Sequence, residues 1–191
     1  VLKEIDHLYR RYGVTLFIPE DDLFTANKPR VLSLLAQIRR LDIPNFEIQF
    51  PNALSINTLN EPVMDALIDS GMAVAQLAIE SGSPYVQKHI IKKNCKLDKA
   101  IEVVRYLKSK DIIVRCYYVM GFPDETLDQL NQSIEYAKNL GADWSSFNIA
   151  TPLVGTEMYQ QYVDRGVIKD GSELWSQASY ARRTFDTPEF S

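Results

Sequence analysis

Cysteine and histidine are scarce in this chain of 191 residues, with two of each. Cys95 and Cys116 stand alone, and His7 and His89 have no partner at metal-ligand spacing, so neither a disulfide framework nor a zinc site can be read from them. His7 and His89 are expected on helix surfaces, and Cys116 as a small buried apolar residue. Long hydrophobic runs are missing too: no apolar stretch approaches the ~20 residues that cross a bilayer. The N-terminus lacks the charged-then-apolar pattern of a signal peptide. Isolated thiols and the absence of a membrane segment predict a cytoplasmic chain. Excess positive charge is absent as well, since the formal net charge is −4. The pairs Lys92-Lys93 and Arg182-Arg183 are too short to make a nucleic-acid footprint. What is present is an ordinary globular mix, 46% hydrophobic and 24% charged, and enough chain for one core. The sequence opens directly on a helical pattern, which predicts that it is a piece of a longer protein.

Strand and helix patterns alternate along the chain. Val1, Ile5, Leu8, Tyr9 and Tyr12 share a helical face that Gly13 ends, and Val14 to Ile18 then reads as a strand stopped by Pro19. Val31, Leu34, Leu35, Ile38 and Leu41 mark a second helix, followed by a short strand around Glu47 to Phe50. Thr58 and Glu61 have capping-box spacing ahead of a third helix that runs to Gly71. Val74 to Ile79 is a strand, and Ser83-Pro84 reads as the cap and first turn of a helix carrying Val86 and Ile90. Ala100 to Leu107 is helical. Ile112 to Val119 is a strand so apolar that burial on both faces is expected. Leu127 to Ala137, Trp144 to Ile149 and Met158 to Tyr162 complete the alternation as helix, strand and helix. Such alternation implies crossover units and a parallel sheet. Five strands are too few for a closed eight-stranded barrel, so an open or partial one follows.

Chemistry-bearing residues gather where the strands end. They are Pro19-Glu20-Asp21-Asp22, Pro51-Asn52, Glu80-Ser81-Gly82-Ser83, Met120 to Thr126 and Thr151 to Thr156. That rim is where α/β barrels bind ligands. Ala78 to Ser83, Ile91-Lys92-Lys93, Tyr118 to Thr126, Thr151 to Thr156 and the Phe17-to-Phe24 stretch resemble, in order, the motifs of radical SAM proteins. The subgroup most closely resembled is often joined to a cobalamin-binding domain. The likeness runs to about Gly166. It implies an α/β fold, a partial (β/α) barrel of the radical SAM type over residues 1–170, with the first strand absent and a truncated C-terminal extension at 171–191.

The resemblance also implies cofactors. S-adenosylmethionine (SAM) would bind across the strand ends, beside a 4Fe-4S cluster held by a CxxxCxxC loop after the first strand. An electron delivered through the cluster splits SAM into methionine and a 5′-deoxyadenosyl radical. This sequence has no CxxxCxxC, and Cys95 and Cys116 lie on different elements, so the cluster ligands are expected upstream of Val1. Cobalamin is implied by the subgroup alone. An electron donor such as flavodoxin or ferredoxin is the implied partner, and the substrate is not legible.

By the same resemblance, Glu80 bonds the ribose hydroxyls, which two carboxylate oxygens can accept; alternatively it belongs to the loop that prepares the Ser83 cap. Ser81 adds a polar contact. Lys92 faces the SAM carboxylate, with Lys93 as the alternative register. Asp21 and Asp22 face the methionine amino group; with Glu20 they also read as a hard-cation site or a solvated loop. Gly121 and Phe122 lie along the adenine, where a missing Cβ lets backbone approach, or they form a plain turn with Asp124 or Thr126 capping the next helix. The Pro152 loop completes the adenine edge. Competing function classes are a non-catalytic SAM- or nucleotide-binding module and a metal- or phosphate-handling barrel fragment.

Overall fold

The computed structural model describes residues 1–168. The expected extension at 171–191 lies outside them. Six α-helices and six strands are present among the described residues: α1 Leu2–Tyr12, β1 Leu16–Phe17, α2 Lys28–Arg39, β2 Glu47–Ile48, β3 Leu54–Ser55, α3 Glu61–Asp69, β4 Val74–Glu80, α4 Leu97–Ser109, β5 Ile113–Met120, α5 Leu127–Leu140, β6 Trp144–Ile149 and α6 Glu157–Asp164. One sheet pairs β1 with β2 in parallel, and the other has the order β3-β4-β5-β6. The β3–β4 pair is also parallel, with Leu54 opposite Leu77.

Local chemistry explains most boundaries. Gly13 adopts the left-handed conformation (φ 68°), and its N–H closes α1 on the Tyr9 carbonyl. Asn27 caps α2 by accepting from the Arg30 N–H, and Pro29 sits in the first turn. The expected Thr58 capping box does not form. Asn60 caps α3 instead, taking the Val63 N–H at 3.2 Å. Thr58 sits in a 3-10 turn (Ile56–Thr58), where its hydroxyl donates to the Ser55 carbonyl. Ser83 is likewise no cap: its Oγ is buried without a hydrogen-bond partner. The helix after it is a wide π-type turn, Val86–Ile90, a form over-represented at functional sites.

The chain forms two compact units. The first comprises Val1–Ile79, Cys95–Cys116 and Leu140–Trp144; the second comprises Glu80–Asn94, Tyr117–Asn139 and the residues from Ser145 onward. In the first unit α2 packs on α3. Val31, Leu35, Val63, Leu67, Val104 and Leu107 supply its helical core. Strand β4 buries Ala75, Leu77 and Ile79 in strict alternation. Strand β5 departs from the expectation of two covered faces: Val114, Cys116 and Tyr118 are buried, while Ile113 is exposed and Arg115 half-buried. The alternate face carries the Arg115 guanidinium, which lies 5.8 Å from the Trp144 ring centroid. A charged residue inside the run makes the strand two-faced. In the second unit Tyr118 stacks on Phe147, and Tyr159, Tyr162 and Ile168 form a smaller cluster.

Candidate functional site

The second unit holds the last residues of β4, β5 and β6 together with the loops that follow them. Glu80 is the last residue of β4 and has φ 69°, an unusual backbone for a residue with a Cβ. Its side chain is largely enclosed, and Oε1 accepts from Lys93 Nζ at 2.5 Å. Lys92, expected at the SAM carboxylate, donates from Nζ to both oxygens of Glu157 at 2.9 and 3.0 Å. Adjacent lysines therefore serve different acids, because Lys92 (φ 54°) and Asn94 (φ 49°) reverse the chain around them.

Ser81, expected as a polar ligand contact, is fully enclosed. Its hydroxyl shares a hydrogen bond with Ser133 Oγ (2.9 Å) and accepts the Ser83 N–H (3.1 Å). Gln87 Nε2 donates to its carbonyl at 2.7 Å. The structure thus gives Ser81 a loop-building role. Gly82 is fixed by packing: an added Cβ would lie 2.4 Å from Tyr136 Cβ.

After β5, Gly121 has φ 82°, and a Cβ there would meet nothing nearer than Ile149 Cγ2 at 3.9 Å. One side of this backbone is open. The Glu125 N–H donates to the Phe122 carbonyl (3.1 Å), with Pro123 and Asp124 (φ 68°) at the corners, as in a type II turn. Asp124 faces outward and pairs with Arg165 at 2.7 Å. Thr126 caps α5, accepting the Gln129 N–H, while Gln129 Oε1 takes the Thr126 N–H at 2.9 Å. Glu125 is completely buried. Its Oε2 accepts the N–H groups of Gly121 (2.6 Å) and Phe122 (3.2 Å). Burial pushes its carboxyl pKa up, against the opposing pull of those two donors. Sequence reasoning passed over Glu125, Ser133, Lys93 and Glu157 as partners. Only the placement of Glu125, an acid directly before a cap residue, left a trace of this. Beyond β6, Pro152 is buried, and Thr156 caps α6, accepting the Tyr159 N–H.

Asp21 and Asp22 belong to the first unit and are exposed. Asp21 lies 3.7 Å from Arg30. Among the described residues no group of three or more His, Cys, Asp or Glu is gathered to hold a metal, so the hard-cation reading of Glu20, Asp21 and Asp22 finds no support in the geometry. The two cysteines do not make a cluster site either. Cys116 is buried, and desolvation raises its pKa to about 12. By contrast Gly121 offers an open backbone face and Glu80 a largely enclosed carboxylate within the second unit.

The sequence profile of the Radical SAM superfamily matches residues 1–137. The chain belongs to the radical SAM superfamily. Its curated relatives include an uncharacterized methyltransferase of Pyrococcus horikoshii, 29% identical over 168 residues. That alignment covers 88% of this chain and 36% of the relative. Another is the cytidylyl-2-hydroxyethylphosphonate methyltransferase of Streptomyces wedmorensis, 25% identical, with 98% of this chain and 36% of that protein covered. The radical SAM chain thus spans about a third of these relatives' length. Among solved structures, the radical S-adenosylmethionine methyltransferase TsrM from Kitasatospora setae, with cobalamin and a [4Fe-4S] cluster bound, superposes with a TM-score of 0.72 at 19% identity. It covers 85% of this chain and 31% of TsrM. That likeness shows a shared α/β fold, in keeping with the partial barrel expected from the strand–helix alternation and with the radical SAM type that the motif resemblance implied.

Proposed function

We propose that this chain is the SAM-binding part of an iron–sulfur enzyme that cleaves S-adenosylmethionine reductively and transfers a methyl group. The observation that carries the reading is local. The Glu80 and Gly121–Phe122 loops leave the ends of neighbouring strands β4 and β5 within one unit, inside the stretch matched by the family profile. Both curated relatives described above are named methyltransferases, which favours methyl transfer over other outcomes of SAM cleavage. A bound cluster would supply the electron for that cleavage, with thiolates from outside the described residues. Cobalamin, which TsrM holds, would act as a further cofactor beyond this chain. A flavodoxin- or ferredoxin-type donor in the cytoplasm completes the proposal.

Glu80 is enclosed yet has a second oxygen besides the one facing Lys93, so it accepts ribose hydroxyls as a fixed carboxylate. Gly121 and Phe122 lay backbone and ring against the adenine, and the Pro152 loop closes that edge. Lys92 receives the SAM carboxylate in place of Glu157. Ser81 acts indirectly by fixing the loop after Glu80. The test uses the full-length protein, reconstituted anaerobically with iron and sulfide. Release of 5′-deoxyadenosine or S-adenosylhomocysteine from SAM is expected with a reductant and an acceptor substrate. No turnover of SAM by protein with an intact cluster would refute the reading.

A further inference from the structure

In the first unit the entries to three helices are tied to one turn. Thr25, just before α2, is fully buried, and its hydroxyl shares a 2.6 Å hydrogen bond with that of Thr58 in the 3-10 turn. From the other side, Asn57 Oδ1 accepts the Lys96 N–H (3.2 Å), and the Asn57 carbonyl accepts from Lys99 Nζ (3.0 Å). Asn60 follows as the cap of α3. Beside this fixed corner a groove of about 540 Å³ opens along α3 and α4. Small-molecule sites have volumes of roughly 300–1,000 Å³. Leu59, Met64 and Val103 give the groove a buried apolar floor. Tyr106 lines it as well, with its hydroxyl held on Asp65 at 2.7 Å.

Positive charge in the groove is left unanswered. Lys28 and Lys99 line it and are half-buried, and Arg105 adds a third cation further along α4. Among the described residues none of these three pairs with a carboxylate. Glu61 and Glu102 also line the groove but stay beyond salt-bridge distance of them. Asp65 is taken up by Tyr106 and, at 3.5 Å, by Lys110. Burial first, and then the charges of Lys28 and Lys96, hold the Lys99 pKa below its ordinary value, with Glu102 opposing them. Like charges gathered at a half-buried place repel one another until an anion joins them.

We propose that this groove binds a small organic phosphate, its dianionic end on Lys28 and Lys99 and its apolar or aromatic body along Met64, Val103 and Tyr106. Two ammonium point charges match a dianion, whereas a single carboxylate leaves one of them unanswered. The hydrogen bonds at Thr25, Asn57 and Asn60 fix the corner before any ligand arrives, so binding has little backbone to order. The groove is independent of the SAM reading, since Glu80, Gly121 and Phe122 belong to the second unit.

Full-length protein is titrated calorimetrically with 1-naphthyl phosphate, 1-naphthol and inorganic phosphate, as wild type, Lys28→Met, Lys99→Met and Lys138→Met. The wild type is expected to bind naphthyl phosphate with a Kd at least about tenfold below that for naphthol or phosphate alone. Lys28→Met and Lys99→Met each raise that Kd about tenfold or more, because a charge-assisted bond is lost. Lys138→Met, on α5 and paired with Glu135, leaves it within about twofold. Naphthol binding as tightly as naphthyl phosphate overturns the proposal, and so does unchanged affinity in both groove variants. Displacement of naphthyl phosphate by saturating SAM overturns it too, by assigning the probe to the SAM site.

Acetylation by acetic anhydride, mapped by peptide mass, needs no variant to fold. Naphthyl phosphate at about ten times its Kd is expected to slow modification of Lys28 and Lys99 at least about fivefold and to leave Lys138 unchanged. Equal rates with and without the probe overturn the groove site. Protein that binds naphthyl phosphate as described but no SAM would instead refute the functional reading and leave this site standing.

Discussion

Lys93 Nζ sits 2.5 Å from Glu80 Oε1, joining an exposed ammonium to a carboxylate whose side chain is 15% exposed. The two ends of this pair have unequal work to do. Lys93 is 64% exposed, and such a surface partner contributes about 0–1 kcal/mol. Lys93→Met is therefore expected to leave the melting temperature within about 4 °C of wild type. Glu80→Ala is expected to weaken SAM binding about tenfold or more, since hydrogen bonds to a charged acceptor are worth roughly 1.5–3 kcal/mol. Calorimetric titration with SAM checks this; unchanged affinity in Glu80→Ala removes Glu80 from the site.

Two glycines of the second unit should fail in opposite ways. At Gly82 a Cβ would collide with Tyr136 Cβ at 2.4 Å and Ser133 Cα at 2.9 Å. Gly82→Ala therefore has to move backbone and is expected to cost about 1–3 kcal/mol or more in stability. At Gly121 there is room, so Gly121→Ala pays only for its positive φ, about 1–2 kcal/mol. The Gly121 variant is expected to fold with a modest drop in melting temperature but to bind SAM poorly. Thermal melts paired with SAM titrations distinguish the two, and a well-folded Gly82→Ala with normal binding would contradict the packing account.

The alternation of strands and helices was legible because it rests on periodicity, and the order of loop motifs because they fall at strand ends. What escaped the sequence was side-chain pairing. Thr58 and Glu61 have the spacing of a capping box, yet Asn60 lies between them with Pro62 just after, and a cap one residue before Glu61 suits the proline's fixed φ better. Strand β3 has two residues, too few for any period to show. The assignment of Lys92 and Lys93 to different acids depends on left-handed backbone at Lys92 and Asn94, which neither residue type announces. Glu125 was passed over because an acid beside a cap looks like ordinary helix-start chemistry, whereas its bonds run back to the preceding turn.

The two cysteines should differ sharply in reactivity. Cys116 is buried on β5, and desolvation raises its pKa to about 12, so it carries almost no thiolate at neutral pH. Cys95 is partly exposed. Alkylation with iodoacetamide at pH 8, followed by peptide mass mapping, is expected to label Cys95 readily and Cys116 only after denaturation. Equal labelling in the native protein would contradict the burial of β5.

Asp143, in the first unit, ties the start of β6 to β5. Lys108 donates to its Oδ1, and the Val114 N–H donates to Oδ2 at 2.8 Å. The lysine first, and then the amide, hold its pKa below the ordinary value of 3.8. A carboxyl bound more weakly to its proton in the folded state than in the unfolded one adds stability at pH above about 4. That contribution disappears as pH falls from there through the folded-state pKa. Asp143→Asn is therefore expected to melt lower than wild type at pH 6 to 7, because the amide presents an uncharged group to Lys108. The gap should narrow steadily below pH 4, where wild-type Asp143 also becomes neutral. Melting curves of both proteins across pH 3 to 7 test this; a gap that is constant with pH would show that Asp143 acts through shape and not through its charge.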